Sequence, residues 1–325
     1  MIELRNLQKT FIVKEKKGLI KSQKRSVHAV KDISMNISEG SIVGLLGVNG
    51  AGKTTTIKMT ATLLTPSSGT GSVDGLDLIK DSNKIKKFIN MVAGGDRMIY
   101  SRLTAKENLI YFARLYNLDS ATMKKRTEKL LRFVGLQDNA NQPVETFSKG
   151  MKQRLHIARG LINDPKYILM DEPTIGLDVS IAKDLRSMCK EMAQNYKKGI
   201  LLTSHYISEI EELCDYVYVI DAGRITIQGS PENVAKHVSK YKNKILLKVL
   251  ELNEGLRRSI TQLIESTDSK IEYINDKELI QIKVLSNSEI QDSLFSCISK
   301  VTKIVEYSFG KPSLEEAMLK LSEEK

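Results

Sequence analysis

One glycine-rich segment has the residue types and the spacing of a phosphate-binding loop. It reads Gly47-Val48-Asn49-Gly50-Ala51-Gly52-Lys53-Thr54 and fits the pattern G-x-x-x-x-G-K-[ST]. Glycines let the backbone curl so that successive N–H groups face phosphate oxygens, and a following helix adds its positive N-terminal end. Lys53 supplies a cation for the β- and γ-phosphates, and the Thr54 hydroxyl can ligate Mg²⁺. This loop alone is compatible with a kinase, a GTPase, a helicase or a transporter ATPase.

Two consecutive acidic residues follow a short apolar run in Tyr167-Ile168-Leu169-Met170-Asp171-Glu172-Pro173. The run predicts a buried strand that ends at the two carboxylates. We expect Asp171 to hold Mg²⁺, directly or through water. Strand alternation predicts that Glu172 points to the opposite side, where it would orient and deprotonate the attacking water. The alternative is a pair of solvated acidic residues at a strand end.

The elements that would position these residues alternate between strand and helix. Ser41–Leu46 is predicted to be a buried strand before the glycine-rich loop, and Lys53–Leu64 a helix after it. Further strands are predicted at Ile2–Phe11, Val27–Ile37, Tyr167–Met170, Ile200–Thr203 and Tyr216–Ile220. Further helices are predicted at 103–135, Ser148–Ile162, Asp178–Lys198 and Glu209–Cys214. This alternation predicts an α/β core with a mostly parallel sheet.

The pattern changes near Gly229-Ser230-Pro231, so we predict one domain over 1–229 and a second over 230–325. In the second domain, strands are predicted at Ile245–Leu252, Lys270–Ile274, Leu279–Val284 and Val301–Ser308. Helices are predicted at Glu254–Glu265, Glu289–Ser299 and Ser313–Leu321. The βαββαβ order is typical of a small α+β domain of the ferredoxin-like type.

Composition limits the classes of protein. The chain has 325 residues with 41% hydrophobic content, enough for a sizeable core. Its apolar stretches are much shorter than the roughly 18–20 residues that span a bilayer. The first residues do not have the pattern of a signal peptide. Three scattered cysteines (Cys189, Cys214 and Cys297) favour a reducing compartment and no metal cluster, so we expect a cytosolic protein.

The net charge of +11 fits a negatively charged partner, such as nucleic acid, anionic lipid or a phosphate-bearing ligand. A lysine-rich surface that only keeps the protein soluble explains the charge equally well. The densest basic segment contains Lys14, Lys16, Lys17, Lys21, Lys24 and Arg25 against Glu15. It lies between two predicted strands, and we expect an exposed loop or hairpin tip. Whether it faces a membrane is a hypothesis that charge alone does not decide.

Residues 1 to about 229 resemble the nucleotide-binding domain of ABC transporters. Phe147-Ser148-Lys149-Gly150-Met151 stands where the family has its signature, Leu-Ser-Gly-Gly-Gln, and Ser148 and Gly150 match it. Gly176-Leu177-Asp178 resembles the D-loop of the family. His205 follows a predicted strand and resembles the switch histidine that contacts the γ-phosphate. A lone histidine is more commonly structural, but its place in this series favours the functional role.

The resemblance implies a phosphate-loop NTPase (ABC ATPase) core with a helical subdomain at about 95–165. It implies Mg²⁺ and ATP as cofactors, with Glu172 and His205 as catalytic residues and Thr54 and Asp171 as metal ligands. The implied nucleotide-binding residues are Phe11, which would stack on adenine, and Gly47, Val48, Asn49, Gly50, Ala51, Gly52, Lys53, Thr54, Thr55, Ser148, Gly150 and Asp178. Two such domains, identical or different, would close head to tail around ATP, so that each phosphate loop faces the signature of the other copy.

One departure from the family concerns the loop that couples the nucleotide to the membrane partner. The family places a glutamine there, whereas this sequence has no glutamine between Gln23 and Gln137. The corresponding position is Gly95, beside Asp96. Asp96 is a candidate for part of the role.

The resemblance also implies a separate integral-membrane permease and a peripheral position on the cytoplasmic face of the membrane, with no nucleic-acid partner. Lys311-Pro312-Ser313-Leu314-Glu315-Glu316-Ala317-Met318 resembles the tail of ATPases that serve ABC-2-type exporters. It is equally well explained as a capped terminal helix. Export is therefore favoured, and the alternatives are an importer ATPase or a regulatory ABC ATPase that does not serve transport.

Overall fold

The computed structural model describes residues 1–17, 21–93, 99–239, 241–265, 267–276, 279–311 and 313–314. The chain divides into two compact units, Met1–Ser230 and Pro231–Lys325. No helix among the described residues is both long and apolar enough to cross a membrane.

The first unit contains ten strands and seven α-helices among its described residues. The strands are β1 (Ile2–Lys17), β2 (Lys21–Ile37), β3 (Ile42–Leu46), β4 (Ser68–Val73), β5 (Leu76–Asp77), β6 (Ile89–Ala93), β7 (Tyr167–Asp171), β8 (Gly199–Ser204), β9 (Tyr216–Asp221) and β10 (Arg224–Gly229). The helices are α1 (Lys53–Thr60), α2 (Ser82–Ile85), α3 (Ala105–Leu115), α4 (Ser120–Phe133), α5 (Lys149–Gly160), α6 (Val179–Gln194) and α7 (Ile207–Leu213). A 3₁₀ turn spans Val144–Thr146.

The ten strands form one sheet in the order β5-β4-β1-β2-β10-β9-β3-β8-β7-β6. Strands β9, β3, β8, β7 and β6 are parallel, as the alternating pattern predicted. Every residue of β3 and β8 is buried, because helices cover both faces of this parallel part. Strands β5, β4, β1 and β2 pair antiparallel, so the sheet is mixed. The carboxyl ends of β3, β7 and β8 therefore lie at one edge of the sheet.

The lysine-rich segment belongs to a long hairpin. Strands β1 and β2 pair from Ile2 and Ile37 to Lys17 and Lys21, well beyond the predicted strand limits at Phe11 and Val27. The pairing of β1 with β4 ends at Gln8. Beyond that residue, β1 pairs with β2 on one side and has no described strand on the other. A hairpin tip was one of the two forms expected here; the extra strand length was not predicted, because the segment lacks the apolar alternation that marks a core strand.

Helices α3, α4 and α5 form the predicted helical subdomain. The single helical stretch predicted over 103–135 is two helices, because Asp119 starts a new one: its side chain accepts a hydrogen bond from the Thr122 amide at 2.9 Å. Helix α3 begins with a capping box between Thr104 and Glu107. Residues 94–98, and with them the positions Gly95 and Asp96, lie outside the described residues.

The second unit begins with α8 (Pro231–Val238). It continues with β11 (Asn243–Val249), α9 (Glu254–Glu265), β12 (Ser269–Asp276), β13 (Leu279–Ser286), α10 (Gln291–Ser299) and β14 (Ile304–Gly310). Its antiparallel sheet has the order β12-β13-β11-β14, which is the ferredoxin-like order. Apolar residues of α9 and α10 share a core with β11 and β13. Of the predicted closing helix Ser313–Leu321, residues beyond Leu314 lie outside the described part.

Candidate nucleotide-binding site

The loop between β3 and α1 can be built only with glycine at two of its positions. A Cβ atom on Gly47 would collide with the backbone oxygen of Ile220 on β9. Gly52 has φ 112°, and a Cβ atom there would lie 2.7 Å from the backbone oxygen of Ala29 on β2. The loop is therefore pressed between neighbouring backbones in a conformation that favours glycine.

Helix α1 starts at this loop without a side-chain cap. Gly52 is its N-cap residue, and the first turn contains no acidic residue. The first intrahelical bond runs from the Thr56 amide to the Gly52 oxygen at 2.9 Å. The preceding amides and the positive end of the helix are thus available to an anion such as a phosphate group.

Lys53 places a cation inside the loop. The residue is 5% exposed, and its Nζ donates hydrogen bonds to the backbone oxygens of Gly47 at 2.7 Å and Val48 at 3.2 Å. The same atom lies 3.6 Å from Oε1 of Glu172. The ammonium group is therefore held inside the loop.

Thr54 and Asp171 meet beside the loop, as the sequence predicted for a metal site. The Thr54 hydroxyl donates to Oδ1 of Asp171 at 3.2 Å. The hydroxyl of Thr203, at the end of β8, donates to the same oxygen at 2.7 Å. A hydroxyl and a carboxylate are hard oxygen donors of the kind that Mg²⁺ takes together with water and substrate phosphates, so these residues fit Mg²⁺.

Strand alternation predicted that Glu172 would point to the opposite side from Asp171. The structure differs, because Glu172 is no longer part of the strand. Strand β7 ends at Asp171, and Glu172 takes the left-handed conformation with φ 49°. Its amide donates to Thr203 Oγ1 at 3.1 Å, which fixes this turn. The carboxylate consequently reaches Lys53 on one side and Nδ1 of His205, 3.4 Å from Oε2, on the other.

His205 follows β8 directly. Its ring packs on the ring of Tyr206, with 4.1 Å between centroids, and the side chain is about one-third exposed. Because β3, β7 and β8 are parallel neighbours, three separate segments deliver Lys53, Glu172 and His205 to the same edge of the sheet.

The remaining predicted residues lie on other elements. Phe11 is on β1 opposite Val27, 37% exposed, on the hairpin whose Ala29 adjoins Gly52. Ser148 caps α5 by accepting a hydrogen bond from the Met151 amide at 3.2 Å. Gly150 is buried: a Cβ atom on it would lie 2.5 Å from Cδ1 of Ile181.

Asp178 is the exposed N-cap residue of α6, without a side-chain cap bond. Among the described residues, no hydrogen bond or ion pair joins Ser148, Gly150 or Asp178 to the phosphate loop of the same chain.

Two residues near the site were not predicted. Thr203 forms hydrogen bonds with both Asp171 and Glu172. Only the parallel register of β7 and β8, which places Thr203 opposite Asp171, could have identified it. Glu209, on α7, is a carboxylate with only 3% exposure. Burial raises its pKa, while Ser204, Thr174 and nearby positive charges oppose the rise. Sequence pattern does not reveal that burial.

Comparison with known proteins points to one family. A family model described as "ABC transporter" matches residues 30–175. The chain is similar to the ABC transporter ATP-binding protein NatA of Bacillus subtilis, with 44% identity over 65% of this chain and 86% of NatA. It is also similar to the linearmycin resistance ATP-binding protein LnrL of the same organism, with 32% identity over 90% of this chain and 93% of LnrL.

A solved structure gives the same result. The dimeric, post-hydrolysis structure of the ATP-binding cassette MJ0796 with ADP and Pi matches with a TM-score of 0.61 and 25% identity. The match covers 71% of this chain and 98% of MJ0796.

Proposed function

The chain belongs to the ABC transporter ATP-binding family, and from that premise we propose that it hydrolyses ATP to drive a separate membrane permease. The observation that carries the proposal is the convergence of Lys53, Thr54, Asp171, Glu172 and His205 at one edge of the sheet. Thr54 lies 3.2 Å from Asp171, Lys53 lies 3.6 Å from Glu172, and Glu172 lies 3.4 Å from His205, so the five residues form one cluster.

In this proposal the loop amides and Lys53 bind the β- and γ-phosphates of ATP. Thr54 and Asp171 hold Mg²⁺, which neutralises phosphate charge when bound. Glu172 orients the attacking water and takes its proton, because its carboxylate lies beside the phosphate-binding lysine. His205, next to Glu172, contacts the γ-phosphate. Phe11 stacks on adenine.

The signature residues act on the ATP of a second nucleotide-binding domain. Ser148 and Gly150 form the start of α5, whose amides and positive end suit a γ-phosphate. They have no polar link to the phosphate loop of their own chain among the described residues, which suits a role in trans. The MJ0796 cassette is a dimer in its solved structure, which supports a sandwich of two domains here, with Asp178 at the interface.

Export is the direction we propose. LnrL is named for resistance to linearmycin, and the chain covers nearly all of it. The tail beginning at Lys311 also resembles ATPases of ABC-2-type exporters. The permease would dock on the helical subdomain near residues 99–102 and hold the ATPase at the cytoplasmic face of the membrane. An importer ATPase is the alternative.

Replacing Lys53 tests the proposal at its centre. Lys53→Ala removes the cation that the loop surrounds, and we expect ATP affinity to fall by about a hundredfold or more. Equilibrium binding of a fluorescent ATP analogue measures this. Lys58→Ala, an exposed lysine of the same helix, is the matched control and should leave affinity unchanged. Equal ATP affinity of the Lys53→Ala and Lys58→Ala variants would contradict the assignment of ATP binding to the phosphate loop.

A further inference from the structure

A cavity of the first unit lies at the opposite edge of the sheet from the phosphate loop. Its volume is about 110 Å³, and it is bordered by α4, by the turn before β7 and by the segment between α6 and β8. Strands β3, β7 and β8 are parallel, and the phosphate loop follows the end of β3. Residues that precede β7 and β8 are therefore a strand length away from it, roughly 20 Å. The cavity is separate from the nucleotide site.

The inner part of this cavity is apolar. Leu130 on α4, Leu161 after α5 and Met192 on α6 are each at most 9% exposed. Phe133 and Tyr196 form an aromatic wall: their ring centroids are 5.9 Å apart and the rings nearly perpendicular, at 88°. Such a lining suits one aromatic ring, which gains from both burial and edge-to-face contacts.

The rim of the same cavity is positively charged. It carries Arg126, Lys129 and Lys198 against one carboxylate, Asp164. Lys198 donates to Asp164 at 2.6 Å, while the nearest approach of Arg126 to Asp164 is 3.9 Å. Arg126 also donates to the backbone oxygen of Ile162 at 3.1 Å.

Lys129 is the cation of the rim that has no carboxylate within ion-pair distance among the described residues. Its Nζ lies 5.0 Å from the centre of the Tyr196 ring. Burial alone would raise the pKa of Asp164, but the hydrogen bond from Lys198 and the charges of Lys198, Arg126 and Lys129 outweigh burial and lower the pKa, so the carboxyl group is ionised at neutral pH. Three cations against one anion leave a net positive rim above an apolar floor.

We propose that this cavity is a binding site for a small aromatic carboxylate. The ring lies against Phe133 and Tyr196, and the carboxylate faces Lys129 and Arg126, where it offsets part of the positive charge of the rim. Such a ligand contacts α4 of the helical subdomain and α6 of the core together. It therefore joins the two parts at a point remote from ATP.

The probe for this site is 4-fluorobenzoate, observed by ¹⁹F NMR line broadening during titration of the full chain. A ligand of this size should bind with a Kd of about 1 mM. Lys129→Gln and Tyr196→Ala should each weaken binding by about fivefold or more. Lys124→Gln, an exposed lysine of the same helix, is the matched control and should bind as the unmodified chain does. Saturating Mg-ATP should not displace the probe.

Several outcomes would overturn the proposal. Absence of broadening up to about 10 mM probe would show that the cavity does not bind aromatic carboxylates. Equal binding by Lys129→Gln and Lys124→Gln would show that the charged rim does not contribute to binding. If neutral 4-fluorobenzyl alcohol bound as well as 4-fluorobenzoate, the same conclusion would follow. Displacement by ATP would place the probe at the phosphate loop. Lys129 is exposed, so its variant is expected to fold, and thermal unfolding checks both variants.

Discussion

At the scale of single residues, Lys53 is held by three oxygens within the first unit. Two are backbone oxygens of the loop, from Gly47 and Val48, and the third belongs to Glu172. A buried ammonium group requires such partners, because its desolvation is otherwise costly. In the proposed function, the phosphate oxygens of ATP bring more negative charge to the same position and compete for this cation. The arrangement therefore couples nucleotide binding to the position of the proposed base.

Gly47 provides a test at the residue scale. In Gly47→Ala the new methyl group meets the Ile220 backbone oxygen, so the loop must shift away from β9. We expect ATP affinity to fall by about tenfold or more, measured by isothermal titration calorimetry. Gly75→Ala is the control: Gly75 also has positive φ, at 81°, but its Cβ would meet no atom within 4 Å. That variant should lose about 1–2 kcal/mol of stability and no affinity. The same affinity loss in both would contradict the role assigned to the Gly47 contact.

Glu209 gives a pH-dependent prediction. Because its pKa is raised in the folded state, the ionised carboxylate destabilises the fold above the pKa of the unfolded chain, and protonation at lower pH relieves this cost. Glu209→Gln should therefore raise the melting temperature at pH 8 by about 2 °C or more, with a smaller gain toward pH 4. Glu128→Gln, on an exposed position of α4, should show no such trend in calorimetry. A change in melting temperature that is the same at pH 8 and pH 4 would contradict a destabilising buried charge on Glu209.

The sequence predicted the site residues that belong to short local motifs. Lys53, Thr54 and Asp171 follow from the loop pattern and the buried strand, and the structure brings them together. Thr203 depends on strand register and Glu209 on burial, which are products of distant contacts. For this reason neither could be identified before the fold was known.

At the scale of elements, α5 presents the signature segment at its start. Ser148→Ala removes the N-cap bond to the Met151 amide, and we expect a loss of about 1 kcal/mol in thermal unfolding. ATP binding by the single chain should not change, because Ser148 has no polar link to its own phosphate loop. Lys149→Ala keeps the cap and should unfold as the unmodified chain does. Loss of single-chain ATP binding in Ser148→Ala would contradict a role in trans.

Elements with a clear apolar pattern were predicted well. Strands β3, β7 and β8 are short, buried runs, and the structure confirms each within one residue at either end. The break between α3 and α4 was missed, because the apolar periodicity continues across it while the Asp119 cap begins a new helix. A hairpin tip was expected between β1 and β2, but the length of the two strands beyond Phe11 and Val27 was not, because that segment has no apolar alternation.

At the scale of the whole molecule, the order of elements predicted both units but not the complete sheet. The βαββαβ order of the second unit is readable because α9, α10, β11 and β13 each place apolar residues in one core and the elements follow one another closely. The ten-stranded sheet joins β1 and β2 to β10 and β9, which are about two hundred residues away along the chain. Pairings at such separation leave no local pattern in sequence.

In the proposed mechanism ATP joins two domains, and Glu172 supports its hydrolysis. Light scattering of Glu172→Gln with and without Mg-ATP tests this most directly, because the variant keeps the binding residues and loses the base. We predict a shift from the mass of one chain, 36.5 kDa, to about 73 kDa on adding Mg-ATP. The double variant Lys53→Ala, Glu172→Gln should stay at the lower mass. A Glu172→Gln protein that remains a single chain with ATP bound would contradict the ATP-dependent dimer, and one that keeps full ATP turnover would contradict Glu172 as the base.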